Sequence, residues 1–228
     1  MDIVELILAL IAAYLWGALP TAYIVGRISK GIDLRRYGSG NVGSANLVAH
    51  VGRVIGLSVG VFDCLGKGTL PIVLAKLLDL GIGTQIGIGL AVVAGHNWSP
   101  YIRFYGGRGV AASIGVLLGF LMWRELLVLA IFLGVIGWII LHDTGFWTFM
   151  SLLCLPPLAW LFQVYIDGNP PYLVYFSLGV VPLILLKRIT ANWTSPPANH
   201  PISHVLFYRV LYDRDVPKQA IWVERKPS

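Results

Sequence analysis

Charge is scarce in this chain, and that scarcity excludes an ordinary soluble domain. Asp, Glu, Lys and Arg make up 12% of the 228 residues, against about 25% in soluble proteins. Hydrophobic residues reach 57%, with a mean hydropathy of +0.75, so an integral membrane protein is predicted. Cysteine is nearly missing. Cys64 and Cys154 both lie in apolar runs, which argues against a disulfide framework and for two small buried hydrophobes. A basic leader is also lacking at Met1-Asp2-Ile3-Val4-Glu5, so the first apolar run reads as a retained span. No internal repeat of transporter type is visible.

Apolar runs between Gly, Pro and charged punctuation give seven candidate spans, at 3–25, 54–78, 81–97, 109–122, 126–141, 146–165 and 172–186. The third to fifth are short for full crossings, and Arg124-Glu125 argues that 109–141 is two segments. Placing the first span outside-to-inside puts fourteen of the 17 basic residues on one side and only Lys76 and Arg124 on the other, with Lys67 inside a span. The positive-inside rule makes the richer side cytoplasmic. The expected fold is therefore an all-α integral membrane protein of about seven transmembrane helices, N-terminus outside and C-terminus cytoplasmic. Its membrane domain covers 1–190. Residues 191–228, broken by Pro196-Pro197, read as a cytoplasmic tail, disordered or lying at the interface. The net charge of +6 sorts by membrane side rather than forming a nucleic-acid surface.

Two Gly-rich loops then share the cytoplasmic face. The first is Gly38-Ser39-Gly40-Asn41-Val42-Gly43-Ser44-Ala45-Asn46, preceded by Arg35-Arg36; the second is Gly106-Gly107-Arg108-Gly109. Glycines allow N–H groups to converge, and Ser and Asn add neutral donors, which suits a phosphate. Arg108 brings a planar fork able to engage two phosphate oxygens. The letters of G-x-G-x-x-G at Gly38, Gly40 and Gly43 lack the strand a dinucleotide fold requires, and Leu65–Thr69 lacks the earlier glycine of a P-loop. Lys67, inside an apolar run, either pairs with Asp63 four residues earlier or contacts substrate. His96 either caps its helix end or lines a cleft beside Arg108. His200 and His204 have i, i+4 spacing, but Pro201 disfavours a helix and hence a metal pair.

These pieces together resemble the PlsY family of membrane glycerol-3-phosphate acyltransferases, which use acyl phosphate as donor. The resemblance is carried by Gly17-Ala18-Leu19-Pro20, Gly26-Arg27, Gly31–Tyr37, the first loop with Asn46, Asp63, Lys67-Gly68, Gly95-His96, Pro100 and Gly106–Ala111, and covers about residues 10–192. It implies acyl transfer to the 1-hydroxyl of glycerol 3-phosphate with no metal or cofactor. Ser39, Arg108 and His96 are then catalytic, and Arg36, Gly38, Gly40, Asn41, Gly43, Asn46, Lys67, Gly106, Gly107, Gly109 and Asn192 bind substrate phosphate. The partners implied are acyl phosphate, glycerol 3-phosphate and membrane lipid, with no nucleic acid; no oligomeric state is set. The chain departs from the family's pattern at Ala45, Ala49 and Ile189, which lack a polar group, and has Arg108 for a lysine. His50 stands beside the arginine position that Ala49 leaves empty. A divergent relative with another acceptor, or a non-catalytic binding protein, is the alternative.

Overall fold

The computed structural model describes residues 2–197 and 200–215. Lys218, Arg225 and Lys226, counted above on the basic side, lie outside them. Among the described residues the regular structure is all helical, with one isolated bridge between Ser99 and Tyr105. The helices are α1 (Ile3–Gly17), α2 (Thr21–Lys30), α3 (Ser44–His50), α4 (Arg53–Leu77), α5 (Ile82–Asn97), α6 (Val110–Gly119), α7 (Trp123–Ile140), α8 (Thr144–Ile166), α9 (Tyr172–Thr190) and α10 (Ile202–Tyr212).

Each expected apolar run is helical. Five stretches are long and apolar enough to cross a bilayer: Ile3–Lys30, Arg53–Leu77, Trp123–Ile140, Thr144–Ile166 and Tyr172–Trp193. α5 has 16 residues and α6 has 10, below the roughly 20 of a free-standing span. The first stretch is broken at Ala18–Pro20, and the break between α6 and α7 falls at Leu121, in the left-handed region at φ 62°. Asp2 starts α1 through a reciprocal cap with Glu5.

Two close helix crossings hold the bundle. Gly17 and Gly95 let α1 and α5 touch backbone to backbone, at Val92 and Tyr14; Gly68 and Gly115 do the same for α4 and α6, at Ala112 and Cys64. A side chain at any of the four would collide with main chain, which is why small residues sit at such seams. Around them Ile72, Val92, Val93, Val116, Phe176 and Val180 form a fully enclosed core. Outward-facing Ile3, Leu8, Val54, Leu77, Leu121 and Trp138 are more than half exposed, as lipid-facing residues are.

In its described part the segment beyond Asn192 is helical and packed on the bundle rather than disordered, while Ile202 and Phe207 stay exposed, as at an interface. α10 lies against α8 and α9. Arg209 donates to Ile189 O and Thr194 O and pairs with Asp215, and Arg188 on α9 donates to Val210 O and Leu211 O. The main chain of α10 at Tyr212 rests on Gly145. The helix begins at Ile202, after Pro201, so His200 falls outside it and does not share a helical face with His204.

Candidate active site

The site is assembled where the chain breaks. Asp33 starts a short turn before the first loop by accepting the Arg35 N–H, and its carboxylate also binds the side chains of Arg35 and Arg27. Hydrogen bonding to Arg35 holds that carboxyl below the ordinary carboxylate range, against the opposing effect of burial. The loop then folds around Asn46. Its buried amide donates to Leu34 O, Tyr37 O and Asn41 O, so one side chain closes the loop on itself. Asn41 N–H donates to Ser39 Oγ at 3.3 Å, and Ser39 is half-buried.

The second loop meets the first directly. Val42 N–H donates to Gly106 O at 3.1 Å. Asn192, at the left-handed turn after α9 (φ 55°, ψ 36°), braces both. Its Oδ1 accepts Gly106 N–H at 3.0 Å and the Lys187 ammonium at 2.6 Å, while its Nδ2 donates to Gly40 O and Gly106 O at 3.2 and 3.1 Å. Gly106 must be a glycine, because a Cβ there would strike the carbonyls of His96 and Asn97. Gly107 packs on the His96 ring in the same way.

The residues named from the sequence thus converge, and several of them also hold the site together. The N–H groups of Gly40, Gly106 and Gly107 donate to Tyr37 O, Asn192 Oδ1 and His96 O. The tight turns point these three donors at nearby protein acceptors, so the two loops brace each other. Asn46 and Asn192 likewise hold the loops. Lys67 Nζ lies 2.6 Å from Asp63 Oδ1 and donates to Leu19 O and Thr21 Oγ1, which realises the pairing side of the expectation. Lys67, His96, Thr21, Ser99, Gly106 and Gly107 surround a cavity of about 10 Å³, room for about one water. His96 is buried, and its Nδ1 has no partner there. Asn41 Oδ1 is also buried and unpartnered.

Gly38 and Gly109 take left-handed turns at φ 52° and 79°, Gly43 precedes α3, and Arg36 is exposed at the loop's edge. Arg108 is buried. Its Nε lies 2.8 Å from Asp213, just past α10, and its Nη1 donates to Lys187 O. Sequence reasoning missed both partners: a 105-residue separation hides Asp213, and Lys187 read only as a basic span end. Ala45, Ala49 and Ile189 are exposed, and half-buried His50 sets its Nδ1 3.0 Å from Asn46 O. From the Gly109 end of the loop, Val110 and Ser113 lead to an apolar cavity of about 250 Å³ among α6, α7, α8 and α9.

The family model described as glycerol-3-phosphate acyltransferase matches residues 7–193. Glycerol-3-phosphate acyltransferase 5 of Dehalococcoides mccartyi (strain ATCC BAA-2266 / KCTC 15142 / 195) is 35% identical over 229 residues, spanning 100% of this chain and 96% of its own length. Acyltransferase 4 of strain CBDB1 is also 35% identical, over 95% of this chain and 92% of its own. Among solved structures, PlsY (YgiH), an integral membrane glycerol 3-phosphate acyltransferase, superposes in its glycerol 3-phosphate form with a TM-score of 0.68 at 28% identity, covering 81% of this chain and 88% of that one. Its lysophosphatidic acid form gives 0.66 at 26%.

Proposed function

Since the chain belongs to the glycerol-3-phosphate acyltransferase family, we propose that it moves a fatty acyl group from acyl phosphate to the 1-hydroxyl of sn-glycerol 3-phosphate. The products are lysophosphatidic acid and phosphate. One observation carries this reading: the two glycine loops are fastened together by Val42, Gly106 and Asn192 beside an apolar cavity that begins at Val110 and Ser113. A polar site adjoining an apolar cavity suits a donor with a phosphate head and an acyl tail.

An acyl phosphate is a mixed anhydride and needs no covalent enzyme intermediate. The acceptor hydroxyl attacks the acyl carbon, a new C–O bond forms, and the acyl–phosphate C–O bond breaks with its electron pair leaving on phosphate. The hydroxyl proton goes to a phosphate oxygen. The protein's tasks are orientation and charge stabilisation. Asp33 and Asp63 are both engaged by cations, which supports proton transfer to the substrate rather than to a carboxylate. Ser39 and His96 orient the reacting groups, Arg108 takes phosphate charge, and Arg36, Lys67 and the small loop residues with Asn41 complete the binding surface. Seven helices would cross, with α5 and α6 shortened against protein, the N-terminus outside and the loops facing the cytoplasm at the inner membrane.

The test is donor choice. Purified protein given glycerol 3-phosphate and either palmitoyl phosphate or palmitoyl-CoA is expected to form lysophosphatidic acid, read by mass spectrometry, from the phosphate donor alone. Product from the thioester alone overturns it. A second reading, a relative with another acceptor or none, is favoured by the apolar, exposed Ala45, Ala49 and Ile189. It predicts turnover of neither pair.

A further inference from the structure

Lys187, on the last turn of α9, is fully buried, yet its charge is barely answered. The ammonium donates to Asn192 Oδ1 at 2.6 Å and sits 5.5 Å from the centroid of the Trp98 ring. Among the described residues no carboxylate lies within ion-pair distance of it. An ammonium has three donors, and a neutral amide oxygen takes one. Its cationic neighbours are better served. Arg108 faces Asp213, Arg209 faces Asp215, Arg214 faces Asp143, and Arg188 donates to the carbonyls of Gly145, Val210 and Leu211. A buried charge normally has a partner of opposite sign, because leaving water without one is costly. The missing partner here is an anion.

Its place is set by what Lys187 touches. Asn192 Oδ1 accepts the ammonium and the Gly106 N–H together, so the charge lies against the second glycine loop. The carbonyl of Lys187 itself accepts from Arg108. We propose that Lys187 is a substrate-binding residue that ligates a phosphate group at the Gly106–Gly109 loop, with Asn192 holding the ammonium in place until it arrives. This deepens the acyltransferase reading and rests on it for the identity of the phosphate, which belongs to the acceptor or to the acyl donor.

The experiment uses full-length protein in lipid nanodiscs, with Lys187→Met (similar volume, no charge), Lys187→Gln and Lys187→Arg. Thermal protection by glycerol 3-phosphate and by inorganic phosphate is measured, together with KM and kcat for each substrate. Lys187→Met removes a costly buried charge together with its bond to Asn192, so the substrate-free Tm is expected to change little. Half-protecting concentrations of phosphate compounds are expected to rise at least tenfold, with Lys187→Arg keeping most of the protection. A KM increase confined to glycerol 3-phosphate assigns the acceptor's phosphate, and one confined to palmitoyl phosphate assigns the donor's. Lys187→Gln is read in the same way if Lys187→Met does not fold. Unchanged protection and KM values in a variant that folds, beside normal wild-type turnover, overturn the proposal and leave the acyltransferase reading standing. Lysine-dependent protection by phosphate without any turnover does the reverse. A wild-type protein neither protected nor active overturns both.

Discussion

Replacing Asn192 by alanine removes four hydrogen bonds at once. Three join neutral groups and are worth about 1 kcal/mol each; the fourth, from the Lys187 ammonium, is worth about 1.5–3 kcal/mol. Their sum, about 4.5–6 kcal/mol, is a ceiling, since the bonds share two side-chain atoms and water can enter the vacated space. Alanine is also less at ease than asparagine in the left-handed turn at φ 55°. A net effect of about 3 kcal/mol on local opening is the reasonable expectation, and it corresponds to on the order of a hundredfold larger open population. Hydrogen exchange with mass spectrometry reads this directly. Peptides holding the Val42, Gly106 and Gly107 amides are expected to exchange about a hundredfold faster in Asn192→Ala, while the α1–α5 seam at Gly17 and Gly95 stays protected. Loop protection within threefold of the parent would refute the idea that Asn192 holds the two loops together.

Other expectations follow from the same geometry. Gly106→Ala drives a Cβ into the His96 and Asn97 carbonyls, so the helical circular dichroism should persist while acyl transfer falls at least tenfold; retained activity contradicts the close fit. Gly115→Val forces α4 and α6 apart at the Cys64 backbone and should lower Tm by the equivalent of about 1–3 kcal/mol. Gly134→Ala, with no atom near its Cβ position, is the control that should not. Asp33, with its folded pKa lowered mainly by Arg35, gives stability that is present above about pH 4 and lost as pH falls through the folded value. Asp33→Asn should therefore lower Tm at pH 7, with the gap closing in acid; a gap constant down to about pH 2 contradicts this.

The helices were legible because apolar runs in a low-charge chain have few other uses, and the loops because glycine, serine and basic residues cluster between those runs. The Lys67–Asp63 pair could be read from its spacing alone. Other features depend on contacts that spacing does not encode. Asp213 reaches Arg108 across 105 residues, just past α10, whose proline-rich approach read as a tail disordered or lying at the interface. Likewise, the glycine N–H groups looked available for phosphate until the turns were seen to close on Tyr37, His96 and Asn192. Lys187 had one overlooked signal: it follows an apolar run and precedes Asn192 by five residues. A basic residue at a span end is ordinarily a topology anchor, and the sequence gives no sign that this one is completely buried.

The most direct test of the account is phosphate release from palmitoyl phosphate by the purified protein, with and without glycerol 3-phosphate, beside Ser39→Ala and Arg108→Ala. The account predicts release that requires the acceptor and is lost in both variants. Release that ignores the acceptor, or that survives both substitutions, would contradict it.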